Sequence, residues 1–198
     1  MRQLWNLANQ LTLFRLLVIP LILISMLYGR HGLALGLFLV AAVTDAIDGV
    51  VARRLNQKTS LGAYLDPIAD KLLLSSSFFI LSLIHSVPWW VTILVLSRDV
   101  IIVATSVVVA LSTPIRRFDP SLLGKLNTGV QVATVLAVVL RNAYENAVTL
   151  WLAKTSVRLT ALFTILSGVH YAVVTSRKLA RHTAGLAPGG PTSPAKRD

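Results

Sequence analysis

Four aspartates carry the chemistry that this sequence suggests: Asp45, Asp48, Asp66 and Asp70, set within two apolar stretches. A carboxylate inside a bilayer costs at least about 2.5–3.5 kcal/mol on insertion scales, so four of them need a reason. Asp45 and Asp48 are spaced i, i+3, and Asp66 and Asp70 i, i+4. Each pair therefore shares a helical face, with Cβ atoms about 5–6 Å apart. A connection of only about seven residues makes the two helices antiparallel neighbours and brings four anionic side chains together. Four such charges repel unless a cation sits among them. Oxygen ligands without His or Cys favour a hard cation, magnesium or manganese, over zinc or copper. Two cations about 3.5–4 Å apart would suit four carboxylates and a bridging phosphate.

The neighbouring residues agree with that chemistry. Asp45, Asp48, Gly49 and Ala52 form one stripe, and Gly62, Asp66 and Asp70 form a matching one. Small residues beside the ligands let a bulky group approach the backbone. Gly49 and Gly62 each lower helix stability by about 1 kcal/mol relative to alanine, which points to packing or binding. The plainer alternative is ion pairing with intramembrane cations or tight helix packing. In sequence only Arg53 and Lys71 lie close enough to serve, too few for four acids. Asp99 directly follows Arg98 and stays open to a structural or a functional reading.

The elements that must position these groups read as helices. Of the 198 residues 55% are hydrophobic and 14% charged, against roughly 25% charged in a soluble domain; mean hydropathy is +0.71. Six stretches, 11–29, 33–53, 61–85, 89–112, 122–141 and 146–175, approach the roughly 20 residues a span requires. Lys154 and Arg158 interrupt the sixth. The first has no small-residue cleavage site and contains Arg15, which favours a retained helix over a secretory signal. The expected architecture is an all-α integral membrane protein with six transmembrane helices over residues 1–182. Residues 183–198, rich in Gly, Pro, Thr, Ser and Lys, read as a disordered tail.

Charge placement then orients the chain. With both termini cytoplasmic, the inner side holds Arg2, Arg53, Arg54, Lys58, Arg116, Arg117, Arg177, Lys178, Arg181, Lys196 and Arg197, and the outer side only Arg30 and Arg141. Because the net charge of +11 flanks apolar spans, it points to anionic lipid headgroups and away from nucleic acid. The chain has no cysteine, which excludes disulfides and thiolate chemistry.

Read together, the site residues spell Asp45-x-x-Asp48-Gly49-x-x-Ala52-Arg53, eight residues, then Gly62-x-x-x-Asp66-x-x-x-Asp70. This pattern resembles the signature of the CDP-alcohol phosphotransferase (CDP-alcohol phosphatidyltransferase) family, with every fixed position present. Asn9-Gln10-Leu11-Thr12-Leu13-Phe14-Arg15 resembles the opening of the family's first helix, and the likeness covers about residues 5–145. The resemblance implies a metal centre on Asp45, Asp48 and Asp66, with Asp70 as ligand or neighbour and as general base. It implies CDP contacts from Asp45, Asp48, Gly49, Ala52, Arg53, Gly62 and Thr12, two magnesium or manganese ions, CDP-diacylglycerol as donor and CMP as leaving group. It also implies a homodimer in a bacterial inner membrane, with the site toward the cytoplasm.

For the acceptor, Ser97-Arg98-Asp99-Val100 and Phe118-Asp119-Pro120-Ser121-Leu122-Leu123-Gly124-Lys125-Leu126-Asn127-Thr128 look most like the CMP-forming cardiolipin synthase branch, where phosphatidylglycerol is the acceptor. The related phosphatidylglycerophosphate synthases, which use glycerol 3-phosphate, usually carry Arg-Glu at 98–99 and lysine at 127. Arg98, Lys125 and Arg116 are candidates for the acceptor phosphate. The alternative from another class is a small cation carrier. It would spread its acids along a path across the bilayer, whereas these cluster at one end of two helices.

Overall fold

The computed structural model describes residues 7–54, 60–112 and 122–185. Among these residues the chain is all-helical, with six helices. They are α1 (Leu7–Leu27), α2 (His31–Arg54), α3 (Ser60–Leu83), α4 (Trp89–Ser112), α5 (Leu122–Ala143) and α6 (Ala147–Gly185). The helices match the six expected stretches in order and nearly in extent. α6 runs beyond the expected end to Gly185, so the first three residues of the expected tail, 183–198, are helical instead; the rest of that tail, from Leu186 onward, lies outside the described residues.

Local chemistry sets the tight connections at one end of the bundle. α1 stops where Gly29 takes φ 71°. The Gly29 amide then donates to the Met26 carbonyl at 3.2 Å, and Arg30 N–H to the Ser25 carbonyl at 2.8 Å. This is the paired closure that a left-handed residue after a helix makes possible. α3 ends in the same way, with His85 at φ 59°, its amide on Ser82 at 3.0 Å and Ser86 N–H on Leu81 at 2.8 Å. Asn146 starts α6 reciprocally: its Oδ1 accepts from Thr149 N–H at 2.9 Å, while Thr149 Oγ1 accepts from Asn146 N–H at 3.1 Å.

These three turns lie at one end, so the helices run up and down. α1 packs on α2 and α3, α5 on α2, α3 and α6, and α4 on α3 and α6. Phe38, Phe78, Ile22, Met26, Val91, Val95, Val135 and Val138 fill the centre. The polar partition is the reverse of a water-soluble bundle. Arg15, Asn127 and Gln131 are buried, while Leu17 is 73% exposed and Val148 66%. Leu123–Ala143 and Ala147–Val173 are each long and apolar enough to cross a membrane.

Buried hydroxyls join helices where no apolar side chain fills the gap. Thr134 and Thr160 lie 2.7 Å apart across α5 and α6, and Thr134 Oγ1 is also 3.0 Å from the Ser156 carbonyl. Ser82 and Thr92 make a 2.6 Å pair between α3 and α4. Thr134→Val is expected to lower stability in detergent by about 0.6–1.7 kcal/mol, the range for interhelical hydrogen bonds in membranes. Thermal unfolding checks this; a variant as stable as wild type would mean that the hydroxyl pair holds nothing.

Candidate active site

Asp45 lies fourteen residues from the start of α2, and Asp70 thirteen from the end of α3. At 1.5 Å per residue, both stand about 20 Å from the end of the bundle that carries the three turns. They meet there through α1, the shared neighbour of α2 and α3. Arg15 of α1 is 1% exposed and reaches both carboxylates, Nη2 lying 2.6 Å from Asp45 Oδ1 and Nη1 donating to Asp70 Oδ1 at 2.8 Å. The two carboxylates remain 45% and 41% exposed. They are thus anchored from the core side and open on the other. A cavity of about 120 Å³ adjoins them, lined also by Phe38, Ala41, Thr128 and Val132.

The sequence alone offered Arg53 and Lys71 as countercharges; the fold supplies Arg15. A signal for it was present, because a charged residue three positions after Thr12 within an apolar helix shares its face. Thr12 is fully buried. Lys71 turns instead to Asp99, its Nζ lying 2.6 Å from Oδ1. Arg98 Nη1 donates to that same oxygen at 2.8 Å, and its Nη2 to Ser167 Oγ at 2.6 Å. Asp99 therefore ties α3, α4 and α6 together, which favours its structural reading. Asn127 is buried and accepts from Thr164 Oγ1 at 3.2 Å. Lys125 is exposed on α5.

The remaining expected site positions fall elsewhere. Asp48, Gly49, Ala52 and Arg53 belong to α2, and Gly62 and Asp66 to α3, but their side-chain surroundings lie outside the described residues. Arg116 lies outside them altogether. Asp45 and Asp70, the two of the four aspartates whose side chains are described, are thus brought together. Among the described residues no three metal-ligating side chains cluster. The donor chemistry still fits a hard divalent cation: two oxygen ligands converge on one positive centre and keep a half-exposed side.

Comparison with known proteins identifies the family. The CDP-alcohol phosphatidyltransferase family matches residues 5–172. A "Probable phosphatidylglycerophosphate synthase" of Mycobacterium tuberculosis is 41% identical over 138 residues, 66% of this chain and 64% of that protein. The match therefore spans less than two thirds of that relative's length. A "CDP-diacylglycerol--glycerol-3-phosphate 3-phosphatidyltransferase" of Bacillus subtilis is 34% identical over 84% of this chain and 93% of its own. A "Cardiolipin synthase (CMP-forming)" of Rattus norvegicus is 32% identical over 75% of this chain and 54% of its own. The family match takes in the aspartate signature, helices α1 to α5 and the first part of α6, and the chain belongs to the CDP-alcohol phosphatidyltransferase family.

Proposed function

We propose that this chain is a multi-pass membrane transferase that moves a phosphatidyl group from CDP-diacylglycerol to a glycerol hydroxyl and releases CMP. The observation that carries the reading is the convergence of Asp45 and Asp70 on Arg15, within a helical frame that presents apolar side chains outward. All six helices are read as spans. Exposed Tyr28, Trp89, Trp90, Tyr144 and Trp151 gather at the end with the three turns, as aromatic residues do at a membrane surface. The aspartates lie toward the other end, which the charge distribution assigns to the cytoplasm.

In the net reaction the acceptor oxygen bonds to the phosphorus that bears diacylglycerol, the bond from that phosphorus to the CMP oxygen breaks, and the hydroxyl proton is taken up by Asp70. Asp45, Asp48, Asp66 and Asp70 are the residues that would hold divalent cations. Bound there, magnesium or manganese supplies positive charge to the diphosphate. Arg15 fixes Asp45 and Asp70 from behind, so that their open sides face the reacting groups. Thr12, Gly49, Ala52, Arg53 and Gly62 are assigned to the CDP portion. The lipid tails stay among the outward-facing apolar side chains while the headgroup reaches the carboxylates. The working unit is taken to be a homodimer, and the host membrane the bacterial inner membrane.

For the acceptor we favour phosphatidylglycerol, which would make the product cardiolipin. Arg15, Lys71 and Arg98 are each engaged by an aspartate, and Asn127 adds no charge. A singly charged phosphodiester needs fewer free cations than glycerol 3-phosphate, and Lys125 and Arg116 remain the candidates to contact it. Glycerol 3-phosphate is the second reading, favoured by the names of the mycobacterial and Bacillus relatives.

The test is an acceptor panel. Purified protein is given CDP-diacylglycerol and magnesium with phosphatidylglycerol, glycerol 3-phosphate, inositol phosphate or serine, and the lipid products are separated. Cardiolipin formed only with phosphatidylglycerol is the expected result. Phosphatidylglycerophosphate would establish the second reading. Cation flux without CMP release would overturn both in favour of a carrier.

A further inference from the structure

α6 carries an anomaly that the transfer reaction does not use. Lys154 and Arg158 lie one turn apart inside Ala147–Val173, a segment apolar enough to cross a membrane. Both are exposed, and neither forms an ion pair among the described residues. Unpaired cations at such positions are costly and usually mark a binding site or path. From the start of α6 they stand about 11 and 17 Å along the helix, deep enough that their long stems must bend toward a polar pocket.

Such a pocket is present. Lys154, Arg158 and Arg141 line a cavity of about 510 Å³ with His85, Trp89 and Trp90. Among the described residues no carboxylate lines it. Glu145, 81% exposed, approaches Arg141 only at 4.0 Å, a surface contact of little strength. Trp89 is held edge-on by Phe79, ring centres 5.7 Å apart, which fixes one wall. The left-handed turn at His85 shapes another. The cavity opens at the end with the three turns and, among the described residues, shares no lining residue with the cavity beside Asp45 and Asp70. It is therefore separate from the candidate active site.

We propose that this cavity binds an anionic phospholipid through its headgroup phosphate, with Lys154, Arg158 and Arg141 as the anion contacts and Trp89 and Trp90 against the glycerol and upper acyl chains. Guanidinium and ammonium groups supply the charge-assisted hydrogen bonds that phosphate takes. The volume lies within the usual range for small-molecule sites, about 300–1,000 Å³. The aromatic walls place the opening at the level of lipid headgroups. The proposal rests on the membrane reading above, but not on the reaction catalysed.

Native mass spectrometry of the 198-residue chain in detergent tests it, with dioleoyl phosphatidylglycerol, dioleoyl phosphatidylcholine and inorganic phosphate as probes. Each cation near an anionic lipid contributes roughly a fivefold gain in binding, so Lys154→Gln with Arg158→Gln should weaken phosphatidylglycerol retention about 25-fold. The charge-preserving pair Lys154→Arg with Arg158→Lys should restore retention, which separates lost binding from lost folding. Equal retention by the glutamine variant would overturn the site. So would equal retention of phosphatidylcholine, which would indicate only bulk lipid. Phosphate binding without lipid selectivity would overturn the lipid as the source of the anion. If wild type releases no CMP yet keeps this charge-dependent retention, the transferase reading fails while the lipid site stands.

Discussion

Asp70→Asn is expected to reduce CMP release about 100- to 10,000-fold, the usual range for loss of a general base. Asparagine keeps the size of the side chain and a carbonyl oxygen that can still accept from Arg15, so the 2.8 Å contact need not be lost. The effect should therefore fall on turnover, with nucleotide binding and stability largely kept. Asp66→Asn should separate from it by phenotype: turnover is abolished because divalent binding weakens, while the protein still inserts into the membrane. Magnesium titrations of CDP-diacylglycerol binding distinguish the two. Near-normal CMP release by either variant would remove the carboxylates from the mechanism.

Arg15→Met is expected to have the second large effect, on stability. The guanidinium is 1% exposed and lies between two carboxylates. Removing one partner of a fully buried pair typically costs about 3–5 kcal/mol, because the remaining charge is stranded. Asp45 and Asp70 keep access to solvent, so about 2–3 kcal/mol is the appropriate scale here. Methionine fills much of the volume, which limits the packing loss and isolates the electrostatic one. The variant should unfold at a lower temperature in chelator, and added magnesium should recover more stability in it than in wild type, since both cations neutralise the same pair. An unchanged unfolding temperature, or an equal magnesium increment, would mean that Arg15 does not hold the carboxylates.

The sequence by itself determined the helical frame. Apolar blocks of about the length of a bilayer core are long-period signals, and α1 to α6 fall where those blocks do. Gly29, after α1, is the residue type that a left-handed turn favours; His85, which does the same work at the end of α3, carries no such signal in its residue type. The aspartate pairs were legible because i, i+3 and i, i+4 spacings translate directly into one helical face.

Which cation stands beside which carboxylate was decided only by tertiary structure. Arg15 precedes Asp45 by thirty residues and Asp70 by 55, and it reaches both only because α1 packs against both α2 and α3. Lys71 follows Asp70 directly, yet successive helical residues point about 100° apart, and it pairs with Asp99 on α4 instead. Ser167 joins Arg98 from 69 residues away by the same kind of packing. Spacing along a helix fixes which side chains share a face; the partner opposite that face depends on how the helices assemble, and no local pattern encodes it.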